Sequence, residues 1–180
     1  MEKNQITQIE QILQAGGYTD YKWLNPHNDI VLARWVRFKC MYGCNEYGKC
    51  GSCPPAVPPV DECHQMIQEY NSALILHFSI QSQTDAEKRV MLANLILLER
   101  DIFLAGYYKA FILPHHSCNI CAECAAGGNR ANCVAKAKSR PSPDAMGIDI
   151  FQTARKAGYA VDVLTSRDAL TNRFSFLLVD

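Results

Sequence analysis

With 180 residues, 48% of them hydrophobic, the chain is long enough for one domain with its own core and short for two, so a single domain over 1–180 is expected. Eighteen Lys and Arg balance eighteen Asp and Glu, which excludes the broad basic field that draws a protein onto polyanions, and nucleic acid is not an expected partner. No stretch is long and apolar enough to span a bilayer, and the N-terminal segment lacks the continuous apolar core of a signal peptide. No membrane association and a reducing cytoplasm are therefore expected, where clustered thiols signal metal or catalysis rather than disulfides.

In chain order, residues 4–15 predict an amphipathic helix with Ile6, Ile9, Ile12 and Leu13 on one stripe and Gly16-Gly17 as its stop. A short strand is expected over 31–38, directly before the first cysteine. The first cysteine cluster follows as Cys40-x3-Cys44-x5-Cys50-x2-Cys53-Pro54, with Gly43, Gly48 and Gly51 supplying turns. The run from Cys53 to Val60 carries four prolines, which hold a chain extended and reads as a stiff connector. A helix near 61–70 leads to the apolar run 73–80, which suits a buried strand. Thr84-x-x-Glu87 is a capping-box pattern opening a long helix to about Leu104, with Gly106 beyond it.

Residues 107–113 read as the next strand, ended by Pro114. Strand, helix, strand in this order predicts a right-handed parallel crossover that brings the second cysteine loop to the carboxyl edge of a sheet. Ser142 and Pro143 look like the cap and first residue of a helix running through Ile150 and Phe151 to Gly158, its N-terminus expected to face the second cysteine loop. Two last strands are expected at 160–164 and 174–179. The predicted fold is α/β or α+β, a mixed sheet with flanking helices and two cysteine-rich metal loops at one sheet edge.

The second cluster carries the sharper chemical signal. Cys118-x2-Cys121-x2-Cys124 is the tight triple with which bacterial ferredoxins hold three irons of one cubane, and Cys133 is the nearest fourth thiolate. The small residues Ala122, Ala125, Ala126, Gly127 and Gly128 let backbone N–H groups approach sulfur. Four thiolates in the first loop suit an iron–sulfur cluster, Cys53-Pro54 resembling a ferredoxin's closing pair, or equally a tetrahedral zinc. Eight of the nine cysteines fall in these two windows; Cys63 stands apart and reads as a buried small hydrophobe, with a reserve role as ligand. His115 and His116 read as polar strand-end residues rather than ligands, and the flanking Arg34, Arg37, Lys39, Arg130, Lys136, Lys138 and Arg140 as a solvated face.

The stretches KCMYGC, SCPP, LERDIFLAGYYKAF, CNICAEC and RPSPDAMGID resemble a cysteine-rich family of predicted metal-binding proteins, a domain of unknown function from anaerobic bacteria and archaea. The resemblance implies metal binding across most of the chain and supplies no reaction. It implies Cys40, Cys44, Cys53 and the later cysteines more firmly than Cys50.

The expected function is that of an iron–sulfur protein, with one or two 4Fe–4S clusters on Cys40, Cys44, Cys50, Cys53, Cys118, Cys121, Cys124 and Cys133, serving a redox protein partner. The alternatives are an enzyme whose three-cysteine cluster leaves one iron open, and a zinc-stabilised interaction module. Chain entropy favours each loop closing on its own metal, and loops with several thiolates and few apolar residues are expected to draw their order from it.

Overall fold

The computed structural model describes residues 1–163 and 170–180, and among them are seven α-helices and four β-strands. The elements run α1 (Lys3–Ala15), β1 (Tyr21–Leu24), α2 (Pro26–Asp29), α3 (Arg34–Gly43), α4 (Val60–Ile67), β2 (Ala73–Ile80), α5 (Asp85–Leu104), β3 (Phe111–Leu113), α6 (Pro143–Met146), α7 (Ile150–Lys156) and β4 (Thr171–Leu178). The strands form one sheet in the order β1-β2-β4-β3, antiparallel at every pairing. The class is therefore α+β.

Side-chain alternation along the central strands feeds two cores. Ala73 and Ile75 of β2 join Phe174, Phe176 and Leu178 of β4 on one face, where Ile67 of α4, Met146 of α6 and Ala154 of α7 cover them. Leu74, Leu76 and Leu177 point to the other face, under Ile9 and Leu13 of α1 and Leu95, Leu98 and Ile102 of α5. Because helices cover both faces, the first half of β2, Ala73–Leu76, is continuously apolar rather than alternating.

Local signals hold up well. α1 occupies the predicted amphipathic segment, and α5 begins at Thr84 with both capping-box bonds formed. The parallel crossover does not occur between neighbours: β2 and β3 run in the same direction, but β4 inserts between them and pairs antiparallel with each. The expected strand at 31–38 is instead the helix α3, with a single bridge from Leu32 to Ile148 before it. Only Val36 of α3 is buried, and the large side chains of Trp35, Phe38, Met41 and Tyr42 lie on the helix's outer surface. The expected strand at 107–113 shortens to β3, because Tyr107–Ala110 closes a turn.

The helix expected from Ser142 to Gly158 is broken at Gly147, whose φ of +87° ends α6, and restarts at the Asp149 cap of α7. Of the strand expected at 160–164, residues 160–163 are not strand and 164 lies outside the described residues. Strand β1 and helix α2, capped by Asn25, carry signals too short to be distinctive in the sequence.

Candidate metal centre

Helix α3 ends on the first cysteines: Cys40 lies in its last turn, and the Cys44 N–H bonds back to the Cys40 carbonyl at 3.3 Å. The helix is fixed from three sides. Ala33 N–H donates to the Gly147 carbonyl at 2.8 Å, Arg34 pairs with Asp61 at 2.7 Å, and Arg37 donates to the carbonyls of Val57 and Pro58. The flanking cations are thus largely ties that hold the loops: Arg130 donates to the carbonyls of Lys136 and Ser139, and Arg140 pairs with Glu99 at 2.5 Å.

The two cysteine loops pack directly against each other. Gly128 N–H donates to the Lys49 carbonyl at 3.1 Å, and a Cβ on Gly51 would stand 3.2 Å from Ala126 Cβ and 3.5 Å from Cys133 Cβ. All nine cysteines are free thiols; Cys50, Cys53 and Cys63 are buried, Cys44 is exposed, and the other five are half-buried. Cys63 sits in the core, donating to the Pro58 carbonyl at 3.4 Å and lying 3.7 Å from Met146 Sδ, which fits the small-hydrophobe reading.

The remaining thiols form a chain of neighbours across the loops. Burial, then the adjacent Cys44, Cys40 and Cys118, push the Cys53 thiol up to about 11, against a lowering hydrogen bond with Cys50. Burial and the neighbouring Cys53, Cys124 and Cys118 push Cys50 up to about 12. The Cys50 thiol also lies 3.6 Å from the Cys118 carbonyl. Cys50 therefore neighbours Cys53 of its own loop as well as Cys118 and Cys124 of the second, while Cys53 neighbours Cys40 and Cys44 and also reaches Cys118. Burial, Asp144 and Cys44 raise Cys40 as well, with Arg37 opposing them.

Thiols that hinder one another's ionisation are stabilised as thiolates by a bound cation, so this donor set fits a metal group. Among the described residues no three His, Cys, Asp or Glu side chains converge closely enough to hold a single metal ion. The thiols are adjacent without enclosing one ion-sized point.

A cavity of about 440 Å³ opens beside the first-loop thiols, walled by Cys40, Cys44, Cys53, His115, Asp144 and Arg173 among others. Besides the first loop, α5 and the start of α6, its walls come from the end of β2, the start of β4 and the segment after β3, which meet because β4 lies between β2 and β3. His115 is buried, its backbone N–H and Nδ1 each 3.0 Å from Ser175 Oγ, and its Nε2 has no hydrogen-bond partner. Burial first, then His116 and Arg173, push His115 down to about 3, which keeps the ring neutral. Sequence reasoning missed Asp144, Lys88 and Arg173, which also line this cavity, because no local motif joins residues so far apart in the chain. The α6 N-terminus, with Ser142 and Asp144, lines this first-loop cavity, where the sequence had pointed it toward the second loop.

An α+β sheet clad on both faces, carrying two interlocked cysteine loops, defines a small thiol-rich protein of metal-binding type. Over residues 22–179 the chain matches the family described as predicted metal-binding protein (DUF2284), and it belongs to that family. No curated protein and no solved structure matches it. Among the described residues no helix is long and apolar enough to cross a membrane.

Proposed function

We propose that the protein is an iron–sulfur protein, holding 4Fe–4S chemistry on its two cysteine loops at one end of the sheet and exchanging electrons with a protein partner. The observation that carries this reading is the continuous run of neighbouring thiols from Cys40, Cys44 and Cys53 through Cys50 to Cys118 and Cys124. A lone zinc draws four donors to about 2.3 Å from one point, whereas a cubane spreads its ligands over separate irons; thiols that are adjacent but not convergent suit the second better.

When bound, the cluster supplies one-electron chemistry at a potential set by its charge and the hydrogen bonds to its sulfurs. The chain's own residues bury Cys50 and Cys53 away from water and lock the loops with Arg37, Arg130 and Arg140. The exposed Trp35, Phe38 and Tyr42 lie on α3, the helix that carries Cys40, giving a partner an apolar footing close to the thiols.

Anaerobic purification tests the reading. The expected product is a brown protein containing iron and acid-labile sulfide, located to the reducing cytoplasm. A colourless zinc protein would remove the redox function and leave a zinc-stabilised interaction module.

A further inference from the structure

Building on the iron–sulfur reading, we infer that Cys50 crosses to serve the second loop's centre with Cys118, Cys121 and Cys124, leaving Cys40, Cys44 and Cys53 as a three-thiolate centre whose fourth iron faces the cavity and takes a small anion. The first-loop spacing alone would assign Cys50 to its own loop, and placement argues otherwise. The Cys50 thiol lies 3.6 Å from the Cys118 carbonyl, and its thiol neighbours are Cys124 and Cys118 of the second loop beside Cys53 of its own. Cys50 is absent from the walls of the 440 Å³ cavity, which takes in Cys40, Cys44 and Cys53. The loop contacts at Gly51 and Gly128 bring the crossing residue to the second loop without any rearrangement of the sheet.

The rest of the cavity wall points to a ligand for the open position. His115, 6% exposed, keeps an unpartnered Nε2, and a buried polar atom of that kind calls for a hydrogen-bonding partner. The Arg173 side chain makes no hydrogen bond or ion pair with the described residues, whereas Lys88, on the same wall, is paired with Asp85 at 3.0 Å. The Arg173 guanidinium beside an iron lacking a thiolate favours an anionic ligand over a neutral one. Asp144 lines the same cavity and interacts electrostatically with Cys40 and Arg173, so its carboxylate disfavours an anion of higher charge.

The test is a set of double variants read by iron and sulfide content and by Mössbauer spectra of ⁵⁷Fe-reconstituted protein, with circular dichroism confirming the fold. If Cys50 shares a centre with Cys121, the Cys50→Ala, Cys121→Ala double variant keeps about half the iron, as Cys121→Ala alone does, because the two losses do not add. The Cys44→Ala, Cys50→Ala double variant then keeps almost none. Retention of half the iron in that second combination would return Cys50 to the first loop and overturn the inference. So would full iron retention in Cys50→Ala, or total loss in every single variant. Cys50→Ser replaces Cys50→Ala if the alanine variant does not fold. In Cys121→Ala protein, which isolates the first centre, one iron in four is expected to stand apart in the spectrum and to shift when cyanide is added. Arg173→Gln should weaken that cyanide binding on the order of fivefold. Four equivalent irons, unmoved by cyanide, would overturn the open position. Wild-type protein without iron or sulfide would instead overturn the iron–sulfur reading itself.

Discussion

Glu99, on the buried side of α5, carries more connections than any other acidic residue near the second loop. Its carboxylate accepts from Ile112 N–H at 2.7 Å and from Arg140 at 2.5 and 2.9 Å, tying β3 and the chain after Cys133 to the helix. Both side chains of the pair are nearly buried, so removing one partner leaves an uncompensated charge. Glu99→Ala is expected to cost about 3 kcal/mol in urea unfolding, and replacing Glu99 and Arg140 together by Leu and Met to recover most of it. At Gly128, φ is +75° and a Cβ would overlap the Gly48 carbonyl oxygen, so alanine meets both strain and backbone. On the proposed iron–sulfur reading, Gly128→Ala should separate the loops and lower reconstituted iron content by more than half, while the far-ultraviolet dichroism of the sheet and long helices is unchanged. Asp20 gives a pH signature: although burial pushes its carboxyl up, hydrogen bonds from His77 and Tyr159 hold it below its usual value. A carboxyl bound more tightly to protons in the unfolded chain loses its stabilising contribution as pH falls through the depressed folded pKa. Thermal unfolding of Asp20→Asn should therefore fall less steeply between about pH 5 and pH 2 than that of the parent protein.

Helix α5 shows why some elements are legible in sequence and others are not. Its start is written in four adjacent residues, and the bonds those residues make are the bonds the pattern implies, so Thr84→Ala should destabilise by about 1 kcal/mol, measurable by chemical denaturation. Strand β2 was equally legible, since a mostly apolar run that opens with Ala73–Leu76 has few places to go except between two covered faces. Helix α3 was not, because most of its large side chains are exposed and its conformation is set by ties to Gly147, Asp61 and Val57 that lie far along the chain. The placement of β4 between β2 and β3 escaped for the same reason: local periodicity identifies strands, and pairing order depends on contacts across the whole chain. Within the candidate centre, the tight triple and the isolated, buried character of Cys63 could be read from spacing. The approach of Cys50 to Cys118 and Cys124, and the meeting of His115, Asp144 and Arg173 around one cavity, could not, because spacing within a loop carries no information about the loop that packs on it.

At the scale of the whole molecule, the apolar cores and the thiols occupy different territory. One core is covered by the long helices α1 and α5 and the other by the short helices α4, α6 and α7, and among the described residues the only cysteine in either is Cys63. The loops at 44–59 and 114–142 contribute few buried apolar side chains beyond Val57 and Ala126, so little besides their hydrogen bonds and a bound metal orders them. This division narrows the sequence-based expectation that the fold depends on metal. Stripping the metal with a chelator under anaerobic conditions should leave amides of β2, β4 and α5 protected from exchange, because their burial does not involve a ligand. The loops should lose protection, and trypsin should cut first after Arg130, Lys136 or Lys138, on the order of tenfold faster than in the loaded protein. Mass spectrometry of the early fragments reads the order of cutting. Unchanged cleavage would mean that hydrogen bonds alone hold the loops, while loss of protection throughout β2 and β4 would mean that the thiol centre supports the sheet as well. The division of cores and thiols predicts neither: the sheet stands, and the loops open.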